Sequence, residues 1–432
     1  MRTDIPDDLR AEASVRDAEA ALRTCVHCGF CNATCPTYLL TGNELEGPRG
    51  RIYLMKSVLE GRVAPSAATL DHIDNCLGCL ACETTCPSGV LYSRLLDDAR
   101  PRLEKMRRRG LVDRLQRGLI ARLLPHPGRF RRALQLARWT RPLAGLLPRR
   151  FRHLATMAPR RLPAPAEVAV PGVHAARGPV RLRAALLTGC AQSVLGPEIN
   201  DAAVRLLTRL GVEVVIPGEA GCCGALTYHM GERRQSLRWM ANNIDVWGRL
   251  LDDGVDAVVL TTSGCATAVR DYGHLFAEDP ERAEAAARVA GATRDITEVA
   301  ADLGLGETVE VPPLRLAYHD ACSLQHGLKI RDQPRRLLGE AGFEVVEIPE
   351  GHICCGSAGT YNLLRPQLAG PLQQRKADHI RGLEPDAVAA GNIGCIEQIG
   401  AAVDCPAVHT VELLDWATGG PRPAALAETG PA

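Results

Sequence analysis

Residues 25–36 read CVHCGFCNATCP and residues 76–87 read CLGCLACETTCP. Both follow C-x2-C-x2-C-x3-C-P, the spacing by which three thiolates hold one iron–sulfur cubane while the fourth reaches across to a second. The spacing therefore assigns Cys25, Cys28, Cys31 and Cys86 to one [4Fe-4S] cluster, and Cys76, Cys79, Cys82 and Cys35 to another. Structural zinc is the competing reading, but a zinc site takes four ligands and has no need of an interlocked eight.

Whole-chain properties narrow the class. The 432 residues fit roughly two to four domains, and 46% hydrophobic with 23% charged residues is the composition of a packed globular chain. Aromatics are only 4%, which argues against base-stacking recognition of single-stranded nucleic acid. The first residues, MRTDIPDDLRAEASVRDAEA, lack the apolar core of a secretory signal. With seventeen cysteines, the expectation is a reducing, cytoplasmic location in which thiols are kept for metal.

Outward from the cysteines, Asp4 to Leu22 reads as a helix leading into the first loop. Between the two runs, Pro48-Arg49-Gly50-Arg51 is a turn opening a helix to about Glu60. Either arginine could donate to cluster sulfur or remain a solvated turn residue. Gly29, Gly78 and Gly89 fit loops that wrap a cluster closely. From Arg102 to Arg161 the composition changes, with eighteen Lys or Arg against only Glu104 and Asp113. Leu111, Leu115, Leu119, Leu123 and Leu124 recur at helical spacing, as do Leu134 and Leu136 near Trp139, so the segment is amphipathic and basic. It fits a peripheral contact with anionic lipid on the inner face of the cytoplasmic membrane, or docking to an acidic partner, against the plain alternative of a solvated face.

Pro163, Pro165, Pro171 and Pro179 mark a linker, after which a second duplication begins. Cys190 precedes Cys222-Cys223-Gly224 by 32 positions, Cys322 precedes Cys354-Cys355-Gly356 by 32, and the two sets are offset by 132. Each copy closes on a Gly-Cys after an apolar strand, at Cys265 and at Cys395. Strands are expected at Arg181 to Thr188, Val212 to Ile216 and Val258 to Thr262, and again at Leu314 to Tyr318, Phe343 to Ile348 and Ala387 to Ala390. Helices are expected at Asp201 to Leu210 and Pro334 to Ala341. The fold class is thus α+β multidomain: a helical dicluster ferredoxin-like module followed by two duplicated α/β cysteine-rich (CCG) domains. The divisions fall at residues 1–100, 101–178 (the basic linker), 179–303 and 304–432.

Parallel-sheet topology brings each set of four thiols to the C-terminal edge of its sheet, where ligand sites in such folds lie. Cys190, Cys222, Cys223 and Cys265 make one candidate metal site, and Cys322, Cys354, Cys355 and Cys395 the other. An additional iron–sulfur cluster, zinc and thiol redox chemistry are all compatible with four thiols. Cys405 stands outside the pattern as a small buried hydrophobe. His229, His319 and His409 lie near these sites, and each taken alone reads as a structural histidine.

The cysteine runs, the Pro48-Arg49-Gly50-Arg51 turn and the paired CCG repeats together resemble the iron–sulfur subunits of bacterial glycolate oxidase (glycolate dehydrogenase), a family of CCG proteins. Lactate-utilisation proteins, the small subunit of anaerobic glycerol-3-phosphate dehydrogenase and heterodisulfide-reductase-type subunits share the layout. The wider CCG family closes each repeat with C-x-x-C, but here the earlier positions are Thr262 and Asn392, which speaks against a five-cysteine centre. No G-x-G-x-x-G or other flavin fingerprint occurs, so no flavin is expected on this chain. Removing two electrons from a 2-hydroxy acid needs a flavin as the converter to single electrons. The resemblance supplies it on flavoprotein subunits of the same complex, with a quinone or another membrane acceptor downstream. The alternatives are a lactate or glycerol-3-phosphate dehydrogenase subunit and a heterodisulfide-reductase-like one; no residue is assigned a catalytic role, and no nucleic-acid partner is expected.

Overall fold

A computed structural model describes residues 1–106, 109–146, 152, 154, 157–159 and 161–427. Arg107, Arg108, Arg149, Arg150 and Arg160 of the basic segment lie outside the described residues. The N-terminal part is helical. Helices Ala13–Thr24, Pro48–Leu59, Ala67–Asp74 and Tyr92–Met106 enclose a core of Val15, Leu22, Ile52, Met55, Ile73 and Leu95. Pro48 occupies the first helical position, where its missing N–H costs nothing. The single N-terminal helix expected from sequence is broken into Asp7–Arg10 and Ala13–Thr24. Helix Tyr92–Met106 runs across residue 100 without a break.

The basic segment folds into helices Leu111–Leu123 and Pro127–Thr140. Gln116 donates to the Leu363 carbonyl at 3.0 Å, and His126 meets Trp239 edge to face at 5.9 Å, so the pair is laid onto the C-terminal half.

That half contains two sheets. In the first, β1 (Gly172–His174), β2 (Leu182–Leu187), β3 (Val212–Ile216), β4 (Ala257–Leu260) and β5 (Thr293–Asp295) lie in the order β1-β3-β2-β4-β5, and only β1 is antiparallel. In the second, β6 (Arg315–His319), β7 (Glu344–Glu347), β8 (Ala387–Ala390) and β9 (Ala407–His409) lie in the order β7-β6-β8-β9, all parallel. Register repeats with the duplication: Ala184 pairs Ala257 in one sheet and Leu316 pairs Ala387 in the other. Both faces of these strands are covered, which is why they read as unbroken apolar runs.

The two repeats do not have separate cores. One cluster joins Leu186, Leu207 and Val259 to Leu316, Leu337 and Leu414, and a second joins Ala185, Trp247 and Val258 to Ala317, Ile380 and Val388. Each fully buried leucine or valine in such a cluster is worth about 1.5–3 kcal/mol, so the repeats stabilise one another.

Candidate metal centres

All seventeen cysteines are free thiols. The eight in the helical module surround two adjoining cavities. Cys25, Cys28, Cys31 and Cys86 line the first, and Cys35, Cys76 and Cys79 line the second; Cys82 and Tyr92 border both. Cys86 of the second run thus lies with the cysteines of the first, and Cys35 of the first run with those of the second. Gly29, Gly78 and Gly89 all take positive φ in these loops.

The two arginines part company. Arg51 is 1% exposed and bonds Glu46 (2.6 Å), the His72 carbonyl (2.6 Å) and Thr37 Oγ1 (3.1 Å), with Nη1 3.9 Å from Cys35 Sγ. Arg49 pairs with Glu44 at 2.6 Å and borders the first cavity. Of the two readings available from sequence, a fixed cation beside sulfur is what the geometry of Arg51 gives. Burial pushes the Cys31 thiol up to about 11 and Cys79 and Cys82 well up. Without a cation these thiols stay protonated, and metal binding would release their protons.

The second cavity abuts the second CCG site. Cys79, Leu77, Ile353, Cys354 and Cys322 pack into one cluster. Tyr361 donates to the Asn75 carbonyl at 2.9 Å, Thr84 Oγ1 meets His326 Nδ1 at 2.7 Å, and Arg365 reaches Asp74 at 3.0 Å. On the other side Arg94 forks onto Asp271 at 2.6 and 2.8 Å, tying the module to the first repeat.

Within each repeat the first cysteine follows β2 or β6, the CCG pair follows β3 or β7, and the last lies in a helix after β4 or β8. Cys190 and Cys222 stand 3.6 Å apart, Cys322 and Cys354 3.8 Å apart. The glycine of CCG has a physical reason: φ is +82° at Gly224 and +89° at Gly356. A Cβ would come within 2.9 Å of Met240 Cε in one case and 2.6 Å of the Ala369 carbonyl in the other. The thiol pair is thereby pressed against the following helix. Thr262 and Asn392 are hydrogen-bonding residues: Thr262 Oγ1 donates to Gln192 at 2.7 Å, and Asn392 caps helix Ile393–Gly400 and donates to Ser263 Oγ at 3.1 Å.

Of the three histidines, His409 is structural, with Nε2 on the Thr261 carbonyl at 2.9 Å and Nδ1 accepting from the Val411 N–H. His229 borders a cavity and keeps surface exposed to it; loss of solvation there, with the nearby Arg100 charge adding to it, lowers it to about 4. His319 lies within 4.8 Å of the thiols of Cys355 and Cys395. Cys405 is half-buried against the core.

Between the centres lies a cavity of about 790 Å³, bordered by Cys79 and by thiols of both repeats. Its roof was not foreseen from sequence: Ile120, Leu123, Leu124, Phe130 and Leu134 of the basic helices turn their apolar face onto it. Asp97 and Glu397 also line it. Burial, reinforced by Asp271, raises Asp97 to about 6; burial, reinforced by Glu198, raises Glu397 to about 7. Arg109, which composition alone would place on a free basic face, is held by Asp74, Glu104 and Asp113.

Comparison with known proteins agrees with this geometry. Residues 21–90 match the 4Fe-4S dicluster domain, and residues 184–270 and 316–400 match the cysteine-rich CCG domain. The chain is 39% identical to the glycolate oxidase iron–sulfur subunit of Escherichia coli K12, covering 96% of this chain and 99% of that protein. It is 32% identical to a probable glycolate oxidase iron–sulfur subunit of Bacillus subtilis 168, over 95% and 97% respectively. Lactate utilization protein A of Geobacillus kaustophilus is 30% identical over 51% of this chain and 92% of its own length. Two cysteine-lined cavities in a helical module, joined to duplicated CCG sheets and matched over at least 95% of the chain by the two glycolate oxidase subunits, establish that the chain belongs to the family of glycolate oxidase iron–sulfur subunits.

Proposed function

We propose that this chain is the electron-transfer subunit of a glycolate dehydrogenase complex. A flavin on a partner subunit oxidises glycolate to glyoxylate, and the electrons leave through this chain toward a quinone or another membrane acceptor. The observation that carries the reading is the grouping of eight thiols around two adjoining cavities, the second of which packs against Cys322 and Cys354. We assign Cys25, Cys28, Cys31 and Cys86 to one [4Fe-4S] cluster and Cys35, Cys76, Cys79 and Cys82 to the other. When bound, such clusters supply one-electron carriers that a two-electron flavin can feed. The protein's own part is to hold Arg51 as a fixed positive charge beside Cys35. The leucine-lined cavity beyond Cys79, with Asp97 and Glu397 poised to exchange protons, suits an apolar acceptor that gains protons with electrons.

In the assembled complex, Cys28→Ser or Cys79→Ser is expected to leave the partner flavin reducible by glycolate while abolishing acceptor reduction. Undiminished acceptor reduction would sink the relay assignment. Turnover of a disulfide substrate by the isolated chain would favour catalysis at the CCG thiols instead.

We further propose that the solvent face of the basic helices meets anionic lipid. Leu111 and Trp139 are 81% and 82% exposed beside the exposed Arg114, Arg132 and Arg138, an amphipathic pattern suited to a headgroup surface. Among the described residues no helix is long and apolar enough to cross a membrane, so the contact is a surface one. Each such arginine contributes about 1 kcal/mol. The triple change of Arg114, Arg132 and Arg138 to Gln is expected to reduce flotation with phosphatidylserine-containing vesicles strongly; unchanged flotation removes lipid as the partner of this face.

A further inference from the structure

His319 ends β6 and is 1% exposed, yet neither ring nitrogen meets an oxygen or nitrogen partner, and the polar group it faces is the Cys355 thiol. Among the described residues it is the only histidine in that condition. The two other buried histidines of the second repeat are both satisfied: His409 by Thr261 and Val411, His326 by Thr84 and the His352 carbonyl. The imidazole instead faces thiols, with one nitrogen and the Sγ atoms of Cys355 and Cys395 all within 4.8 Å of one another. Bonds of about 2.0–2.3 Å place the donors of a tetrahedral ion roughly 3.3–3.8 Å apart. The Cys322–Cys354 separation of 3.8 Å is of that size. The first repeat has no such nitrogen: 132 positions earlier stands Leu187, buried in the apolar core.

We propose that His319 is a metal ligand, so that the centre of the second repeat is a mixed nitrogen–sulfur site while that of the first is held by thiolates alone. The inference rests on the reading that the CCG thiols hold metal. Imidazole serves equally as a ligand to a zinc ion or to an iron of an iron–sulfur centre, and both sources use the same donor set. Replacing thiolate by neutral imidazole raises the reduction potential of iron. An iron at this site is therefore the more readily reduced of the two CCG centres.

The test uses the anaerobically purified full chain, with metal analysis, X-ray absorption at the iron and zinc edges, and pulsed EPR for bound 14N. In the wild type, a nitrogen at about 2.0–2.1 Å in the zinc spectrum identifies zinc, and strong 14N coupling to an iron signal identifies iron. His319→Leu, which installs the residue of the first repeat, is expected to delete that signature and retain about eight irons in the N-terminal module. His319→Cys should keep the metal in an all-sulfur shell. Metal beyond those eight irons with no nitrogen in the wild type, or with nitrogen unchanged in His319→Leu, overturns the role of His319 and leaves the CCG metal reading standing. A wild type holding nothing beyond about eight irons overturns both. Should His319→Leu fail to fold, the wild-type spectrum alone decides.

Discussion

The two CCG repeats share the order of their four parallel strands, their register and the placement of four thiols each, and they differ in what surrounds the sulfur. In the first repeat the loop is held by neutral groups. Asn243 bonds the Gly221 N–H and the Cys222 carbonyl, Tyr272 donates to the Cys223 carbonyl, and Ile244 packs in the core beside Cys223. In the second, the residue 132 positions after Ile244 is Lys376, 2% exposed, whose Nζ donates to the Glu350 carbonyl at 2.9 Å. Burial lowers its pKa, and the facing Cys355 and Cys354 thiols oppose that shift. An ammonium so placed favours thiolate over thiol. Duplication thus kept the backbone and changed the electrostatics: a first site whose loop is held by Asn243 and Tyr272, and a second with Lys376 and His319 beside the sulfurs.

The repeats also pack through two pseudo-equivalent helix contacts of unequal strength. Helix Pro197–Arg209 lies on Thr410–Ala417, where Asp415, fully buried, takes Arg205 at 2.7 Å and Arg209 at 2.5 Å. The counterpart, Asp332–Glu340 on Ile296–Leu303, has only a long bond of 3.4 Å from Arg336 to the Ala301 carbonyl. Removing one partner of a buried ion pair costs about 3–5 kcal/mol, so Asp415→Asn should lower the urea midpoint of the intact protein sharply. Arg336→Ala, at an exposed site, should stay within about 0.5 kcal/mol. Equal shifts for the two variants would show that the contacts are energetically symmetric despite their chemistry.

What the sequence reveals follows the range of each signal. Cysteine spacing and the repeat offset are sequence patterns of short range or fixed period, and the strands at Val212–Ile216 and Ala387–Ala390 are local signals that the structure places at the expected residues. Amphipathicity at Leu119 to Leu134 indicates an apolar face but not what it covers, and the roof over the cavity is a tertiary outcome. Pairing has the same limit: Arg109 finds Asp74 across 35 residues, and no local pattern connects them. His319 is conspicuous three residues before Cys322, but its lack of oxygen or nitrogen partners follows from burial. Lys376 carries no signal at all, since a lysine in a helix is ordinarily solvated.

A smaller difference lies at the strand-to-helix junctions that close the repeats, both built as capping boxes. Asp295 caps Ile296–Leu303, and His409 with Glu412 caps Thr410–Ala417. Burial raises Asp295 to about 6, above the roughly 3.9 of an unfolded aspartate. The folded state therefore holds its proton more tightly, and stability present below about pH 4 is lost as pH rises through 6, on the order of 3 kcal/mol. In the second repeat two effects oppose. Burial lowers His409 to about 4, so its contribution is lost as pH falls below the usual histidine range, while burial raises Glu412 to about 8, so its contribution is lost as pH rises. Hydrogen exchange corrected for intrinsic rates should show protection of Ile296–Leu303 falling from roughly pH 4.5 to 7, with Thr410–Ala417 nearly flat. Asp295→Asn should flatten the first profile. Glu412→Gln should unmask loss on acidification in the second, and His409→Gln loss on alkalinisation. Parallel profiles in the wild type would mean that the two junctions titrate alike, and that the divergence of the repeats stops at the surroundings of the thiols.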